Sequence, residues 1–221
     1  MRIPSLPGPP SISVMTAQTL DVDTEHDDTV SSDRGLGLLL AIGGAIGLLS
    51  AAILIIDKVT FLQNEADGVS TALSCDLNAF VSCGGVINTD EASVFGFPNP
   101  LMGVTGFAIV MTLGVLMVAR VRLPAFIWLG LQAGAVFGIG FVTWLQSQSI
   151  YDIQKLCPWC MVVWTVMIPI FVWLTARNLR AFAPDNPVSR FVGDWTLLIN
   201  VLWYVAVISA IWFQFGSDLW A

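Results

Sequence analysis

Five uninterrupted apolar runs, each close to the length of a bilayer crossing, constrain this chain more than any other feature. They lie at about 36–56, 100–119, 124–146, 157–176 and 195–215. A helix of ~20 apolar residues spans the hydrocarbon core of a membrane. In lipid every backbone amide and carbonyl needs a partner within its own segment, so these runs are expected as helices rather than isolated strands. Composition agrees. Hydrophobic residues make up 56% of the 221 and charged residues only 11%, too few charges to cover a water-soluble surface of this size. The mean hydropathy is +0.78. The chain reads as an all-α integral membrane protein.

The remaining segments are short of catalytic material. Residues 1–34 are rich in Pro, Ser, Thr and Asp and are expected to form a disordered acidic tail. Asp21, Asp23, Glu25, Asp27, Asp28 and Asp33 account for most of the net charge of -7, and the only histidine, His26, lies among them. No basic patch suits nucleic acid. An outer loop is expected over 57–99, a transmembrane domain over 35–216, and a short tail over 217–221. Gly43 and Gly47 in the first span, and Gly130, Gly134 and Gly138 in the third, recur at four-residue spacing, which predicts close helix packing.

Lys and Arg set the expected orientation. Arg2, Arg34, Arg120, Arg122, Arg177, Arg180 and Arg190 fall on one side of the alternating spans, and only Lys58 and Lys155 fall on the other. The positive-inside rule makes the arginine side cytoplasmic. All four cysteines, Cys75, Cys83, Cys157 and Cys160, then lie at the opposite, oxidising face.

The cysteines form two unlike pairs. In Cys157-Pro158-Trp159-Cys160, at the head of the fourth span, a helix places the thiols one turn apart, within bridging reach. Pro158 suits a first helical turn, and the helix N-terminus favours thiolate. Cys157 is expected nearer the outside water, where it trades disulfides. Cys160, one turn deeper, is expected to face a membrane-dissolved reactant. Cys75 and Cys83, eight residues apart, would be ~12 Å apart on a continuous helix, too far to bond. Either the backbone between them is irregular or each pairs elsewhere.

Electrons taken from outside thiols need an acceptor, and the chain has no glycine-rich dinucleotide motif. A lipid-soluble quinone beside Cys160 is the natural one from location alone. A zinc site is not expected, because four-thiolate sites usually carry two closely spaced pairs. A transporter or assembly factor with structural disulfides is the rival of another class. No acidic or basic residue lies centrally in any span to mark an ion path.

With these residues in view, the chain resembles the vitamin K epoxide reductase family, over roughly residues 36–180. Three features carry the likeness: the outer segment Cys75-Asp76-Leu77-Asn78-Ala79-Phe80-Val81-Ser82-Cys83, the run Val94-Phe95-Gly96-Phe97-Pro98 leading into the second span, and the Cys157–Cys160 motif. The resemblance implies a four-helix transmembrane bundle around a quinone (menaquinone or ubiquinone), capped by an extracytoplasmic loop, with a fifth transmembrane helix added. It implies that Cys160 reacts with quinone, that Cys157 exchanges with Cys83, and that Cys75 passes the disulfide to a partner. Animal members have a quinone-binding Asn three residues before the Phe-Gly pair, where this chain has Ala92, and some members have a Tyr where it has Trp164. Asn99, Phe95, Thr89 and Trp164 are the candidate quinone contacts. Some bacterial relatives carry a thioredoxin-like domain after the fifth helix. Here the sequence stops at Ala221, so a separate extracytoplasmic thioredoxin-fold (DsbA-like) partner is expected.

The function expected is a quinone-dependent thiol oxidoreductase that generates disulfides in a bacterial plasma (inner) membrane. The alternative within enzymes is a quinone or vitamin K epoxide reductase fed by external thiols.

Overall fold

The computed structural model describes residues 12–70, 72–73 and 75–216, with side chains from Arg34 onward. The first helix, α1, is Ile12–Ala66, and its membrane-length part is Arg34–Ala66. Its backbone is already helical within the stretch expected as an acidic tail, whose side chains before Arg34 lie outside the described residues, as do residues 1–11 and 217–221. There follow a one-turn helix α2 (Gly84–Ile87), a 3-10 turn at Asp90–Ser93, α3 (Pro100–Val118) and α4 (Ala125–Ser147). A π turn at Gln148–Asp152 leads to α5 (Pro158–Phe182), then α6 (Pro187–Asp194) and α7 (Thr196–Phe215). Among the described residues, α1, α3, α4, α5 and α7 are long and apolar enough to cross a membrane. The chain is an all-α membrane protein, as its apolar runs require.

Two boundaries differ from the sequence expectation. The apolar run ends at Asp57-Lys58, yet α1 continues to Ala66, because polar residues stop burial without stopping a helix and no breaker occurs until Gly68, at φ +67°. The connection 181–194 contains a further helix, α6. Asn186 caps it by accepting from Val188 N at 2.9 Å, and Pro187 takes the first helical position.

Helix α1 lies chiefly against α3 and then α5, α4 lies against α5, and α7 packs on the outside of α5. The α1–α3 crossing depends on glycine: a Cβ on Gly44 would stand 2.6 Å from Met111 N, and one on Gly37 2.8 Å from Met117 Cβ. Gly43 meets Ile170 and Gly47 meets Phe107, so close packing holds in the first span. It fails in the third. A Cβ on Gly130 or Gly134 would meet nothing within 4 Å, and only Gly138 touches a neighbour, Met167. Those glycines border a cavity rather than a helix.

Leu40, Ile170 and Leu174 are fully enclosed at the centre of the bundle. Towards the arginine-rich end, Gln132 Nε2 donates to Thr175 Oγ1 (2.9 Å) and Asn178 Nδ2 donates to Gln132 Oε1 (3.0 Å), joining α4 to α5. Arg177 lies 3.4 Å from the Trp128 ring centroid. Tyr204 Oη fastens α7 by donating to Thr165 O at 2.5 Å.

Candidate functional site

The cysteine end is built around a folded loop. Asn78 Oδ1 accepts from Phe80 N (3.0 Å) and Val81 N (2.7 Å), closing a side-chain turn. Asp76 accepts from Leu73 N (2.8 Å), Ser82 Oγ (2.7 Å) and Gly84 N (2.9 Å). Burial pushes the Asp76 carboxyl up, but these bonds, with one from Cys83 N, outweigh it and hold it below the usual carboxylate range. The backbone is thereby reversed between the two loop cysteines, which bridge with Cα atoms 5.6 Å apart. Of the two possibilities left open by an eight-residue spacing, the irregular backbone is the one realised.

A single parallel bridge ties this loop to the segment before α5. Leu156 N donates to Phe80 O (2.7 Å) and Ser82 N donates to Leu156 O (3.0 Å). Lys155 lies over Gly85, where a Cβ would collide with its side chain. Two residues beyond Val81 and one beyond Leu156, Cys83 Sγ and Cys157 Sγ come within 3.7 Å. Both are fully buried.

Cys157 occupies the N-cap of α5 and Pro158 its first position. Cys160 N donates to Cys157 Sγ at 3.4 Å. Hydrogen bonding from the Cys160 thiol, aided by the amides of Cys160 and Trp159, lowers the Cys157 thiol from its ordinary value, against the opposing effects of burial and of Asp57. The expectation that Cys157 sits nearer water needs correction. It does face the 57–99 loop, but the loop covers it completely, whereas Cys160 is half-buried.

Cys160 lines a cavity of about 650 Å³ bordered by α1, α3, α4 and α5. It extends from Thr89, Glu91, Ala92 and Asn99 at the loop end past Gly106, Gly130 and Gly134 to Phe126 and Ile127 near the start of α4. Thr89, Asn99 and Trp164, three of the four candidate contacts, line it together with Cys160. Phe95 does not. The turn at Gly96 (φ +80°) leaves its ring half-exposed, stacked 6.2 Å from Phe97 and tilted 5.7 Å from Phe141, itself a lining residue. Asn99 N donates to Ala92 O (2.9 Å) and Asn99 Nδ2 to Glu91 O (2.6 Å). Among the described residues its Oδ1 is buried without a partner.

Two polar residues of this end escaped sequence reasoning. Asp57 stands with Oδ2 3.5 Å from Cys75 Sγ, and Asp76 organises the loop. Asp57 read only as the end of an apolar run. Its signal was its place, the first acid after the span and before the first cysteine.

A membrane-embedded helical bundle that holds a bridged and an unbridged cysteine pair in sulfur contact above an apolar cavity defines a membrane thiol–disulfide oxidoreductase. The family model described as the vitamin K epoxide reductase family matches residues 38–175. The chain belongs to that family, whose members are oxidoreductases that use quinone-type substrates. No curated protein matches it.

Proposed function

We propose that this chain generates disulfides by oxidising an extracytoplasmic DsbA-like partner and passing the electrons to a membrane quinone. The carrying observation is the 3.7 Å contact between Cys83 and Cys157, with Cys160 opening onto the cavity on the far side. A partner thiolate attacks Cys75 and expels Cys83; the partner's second thiol then releases Cys75 and leaves as a disulfide. The Cys83 thiolate attacks Cys157 of a Cys157–Cys160 bridge and expels Cys160. Cys75 next attacks Cys83 and expels Cys157. That restores the loop bridge and leaves two thiols on α5, the bonding pattern seen here. Quinone supplies the acceptor for two electrons and two protons, lost from Cys157 and Cys160 as their bridge closes.

The cavity fits such a substrate. Its volume falls in the range of small-molecule sites, its walls are mostly apolar, and a buried polar atom of one lining residue lacks a partner among the described residues. Asn99, a lining residue beside Ala92, supplies that atom, and on this reading its Oδ1 accepts from a quinol hydroxyl. The glycine-lined slot of α4 accommodates a prenyl chain.

In proteoliposomes with menaquinone or ubiquinone, the chain is expected to oxidise a reduced DsbA-like protein and form one quinol per disulfide. Cys160→Ala is expected to stop both. Turnover of a quinone epoxide with no partner oxidation would favour the epoxide reductase reading. Bridges indifferent to quinone and partner would favour a structural role for the disulfides.

A further inference from the structure

We propose that Asp57 keeps the proton on Cys75 when the loop bridge is open, so that Cys83 is the thiolate that reaches Cys157. This rests on the reading that Cys83, and not Cys75, exchanges with the α5 pair. Asp57 Oδ2 lies 3.5 Å from Cys75 Sγ, and the donor atoms of Asp57, Cys75 and Cys83 all fall within 4.8 Å of one another. While Cys75 is bridged its sulfur has no hydrogen, so this contact carries no hydrogen bond. Once the bridge opens, the same geometry suits a thiol donating to a carboxylate.

The alternative state, a Cys75 thiolate beside the Asp57 carboxylate, places two negative charges in contact at a site where Cys75 is only 8% exposed. Like charges in such surroundings favour the protonated form of one partner. The other charged groups nearby do not relieve this. Asp76 adds a further negative charge and spends its oxygens on the loop. Lys58 turns away, its Nζ donating to Ile87 O at 3.0 Å. Lys155 lies over Gly85, and Cys157, bridged to Cys160 at this stage of the cycle, carries no charge.

Opening by a partner dithiol therefore yields a Cys75 thiol and a Cys83 thiolate, with one proton released. Disulfide exchange requires the thiolate as nucleophile, so the internal attack falls to Cys83. When Cys75 later attacks Cys83 of the Cys83–Cys157 bridge, its proton passes to Asp57 and Cys157 leaves as thiolate.

The test uses the full chain with Cys75 as its sole cysteine (Cys83→Ser, Cys157→Ser, Cys160→Ser), without quinone or partner. Iodoacetamide alkylation is followed against pH. The expected midpoint lies above the ~8.5 of an ordinary thiol. Asp57→Asn should raise the neutral-pH rate about tenfold, the low end for removing a contacting charge, whereas Asp57→Glu keeps the parent profile. A rate unchanged or lowered in Asp57→Asn overturns the proposal. If that variant does not fold, a parent midpoint at or below the ordinary thiol value overturns it alone. Quinone-dependent partner oxidation is a separate measurement, so each reading fails independently.

Discussion

Cys83 Sγ and Cys157 Sγ lie 3.7 Å apart, although 74 residues separate them along the chain. The contact exists because the Val81–Leu156 bridge fixes the loop against the start of α5, two residues before Cys83 and one before Cys157. Every expectation about electron transfer within the protein passes through it.

With Cys75 and Cys160 both replaced by Ala, Cys83 and Cys157 are the only thiols left. Mild oxidation should close them into one intramolecular bridge, read as the loss of both alkylatable thiols without dimer formation. Two thiols that persist through oxidation would contradict the proposed relay.

Cys157 should ionise below the usual thiol range, because hydrogen bonds stabilise its thiolate. In the structure's redox state, thiolate absorbance should begin to rise on a pH scan below ~8.5. Cys160→Ala deletes the largest stabilising bond, so the Cys157 midpoint should move up. A midpoint unmoved by that variant would show that Cys160 does not tune it.

Two glycines of similar appearance should respond oppositely to Ala. Gly134 borders open space, so Gly134→Ala should leave thermal stability unchanged or raise it by up to about 1 kcal/mol through helix propensity. Gly44 abuts Met111, so Gly44→Ala should cost about 1–3 kcal/mol by overpacking the α1–α3 crossing. Melting in detergent, read by size exclusion after heating, checks both. Gly134→Leu, which fills the slot, should raise KM for a long-chain quinone about tenfold, equivalent to ~1.4 kcal/mol of lost contact. It should spare a short-chain analogue.

Asp76 latches the loop as a carboxylate whose pKa is held below its unfolded value. A depressed carboxylate stabilises the fold above its unfolded pKa of ~3.9, and that contribution is lost as pH falls through the folded value. The protection factors of the Leu73 and Gly84 amides, taken against the intrinsic rate at each pH, should therefore be high at neutral pH and fall in acid below pH ~4. Asp76→Ala should show low protection factors at both. Equal protection in variant and parent at neutral pH would remove Asp76 from this role.

The membrane class and all five long helices were legible in the chain, because hydropathy over ~20 residues is a local property that bilayer thickness reads directly. Pro158 and Pro100 announced the starts of α5 and α3 in the same local way. The four cysteines and their motif spacing were legible too, since thiol chemistry depends on residue type. Which cysteine bridges which was not. The Cys75–Cys83 bond depends on a backbone reversal held by the Asp76 and Asn78 side chains, and the contact with Cys157 depends on a two-residue β-bridge between distant segments. Spacing also misassigned Gly130 and Gly134, because a small-residue stripe looks identical whether a helix or a cavity lies opposite. The sequence by itself determined the membrane helices and supplied the reactive groups. Only the tertiary structure decided that the loop seals Cys157 from water, leaves Cys160 on the cavity and sets Asp57 against Cys75, because those contacts come from packing between segments that local pattern does not encode.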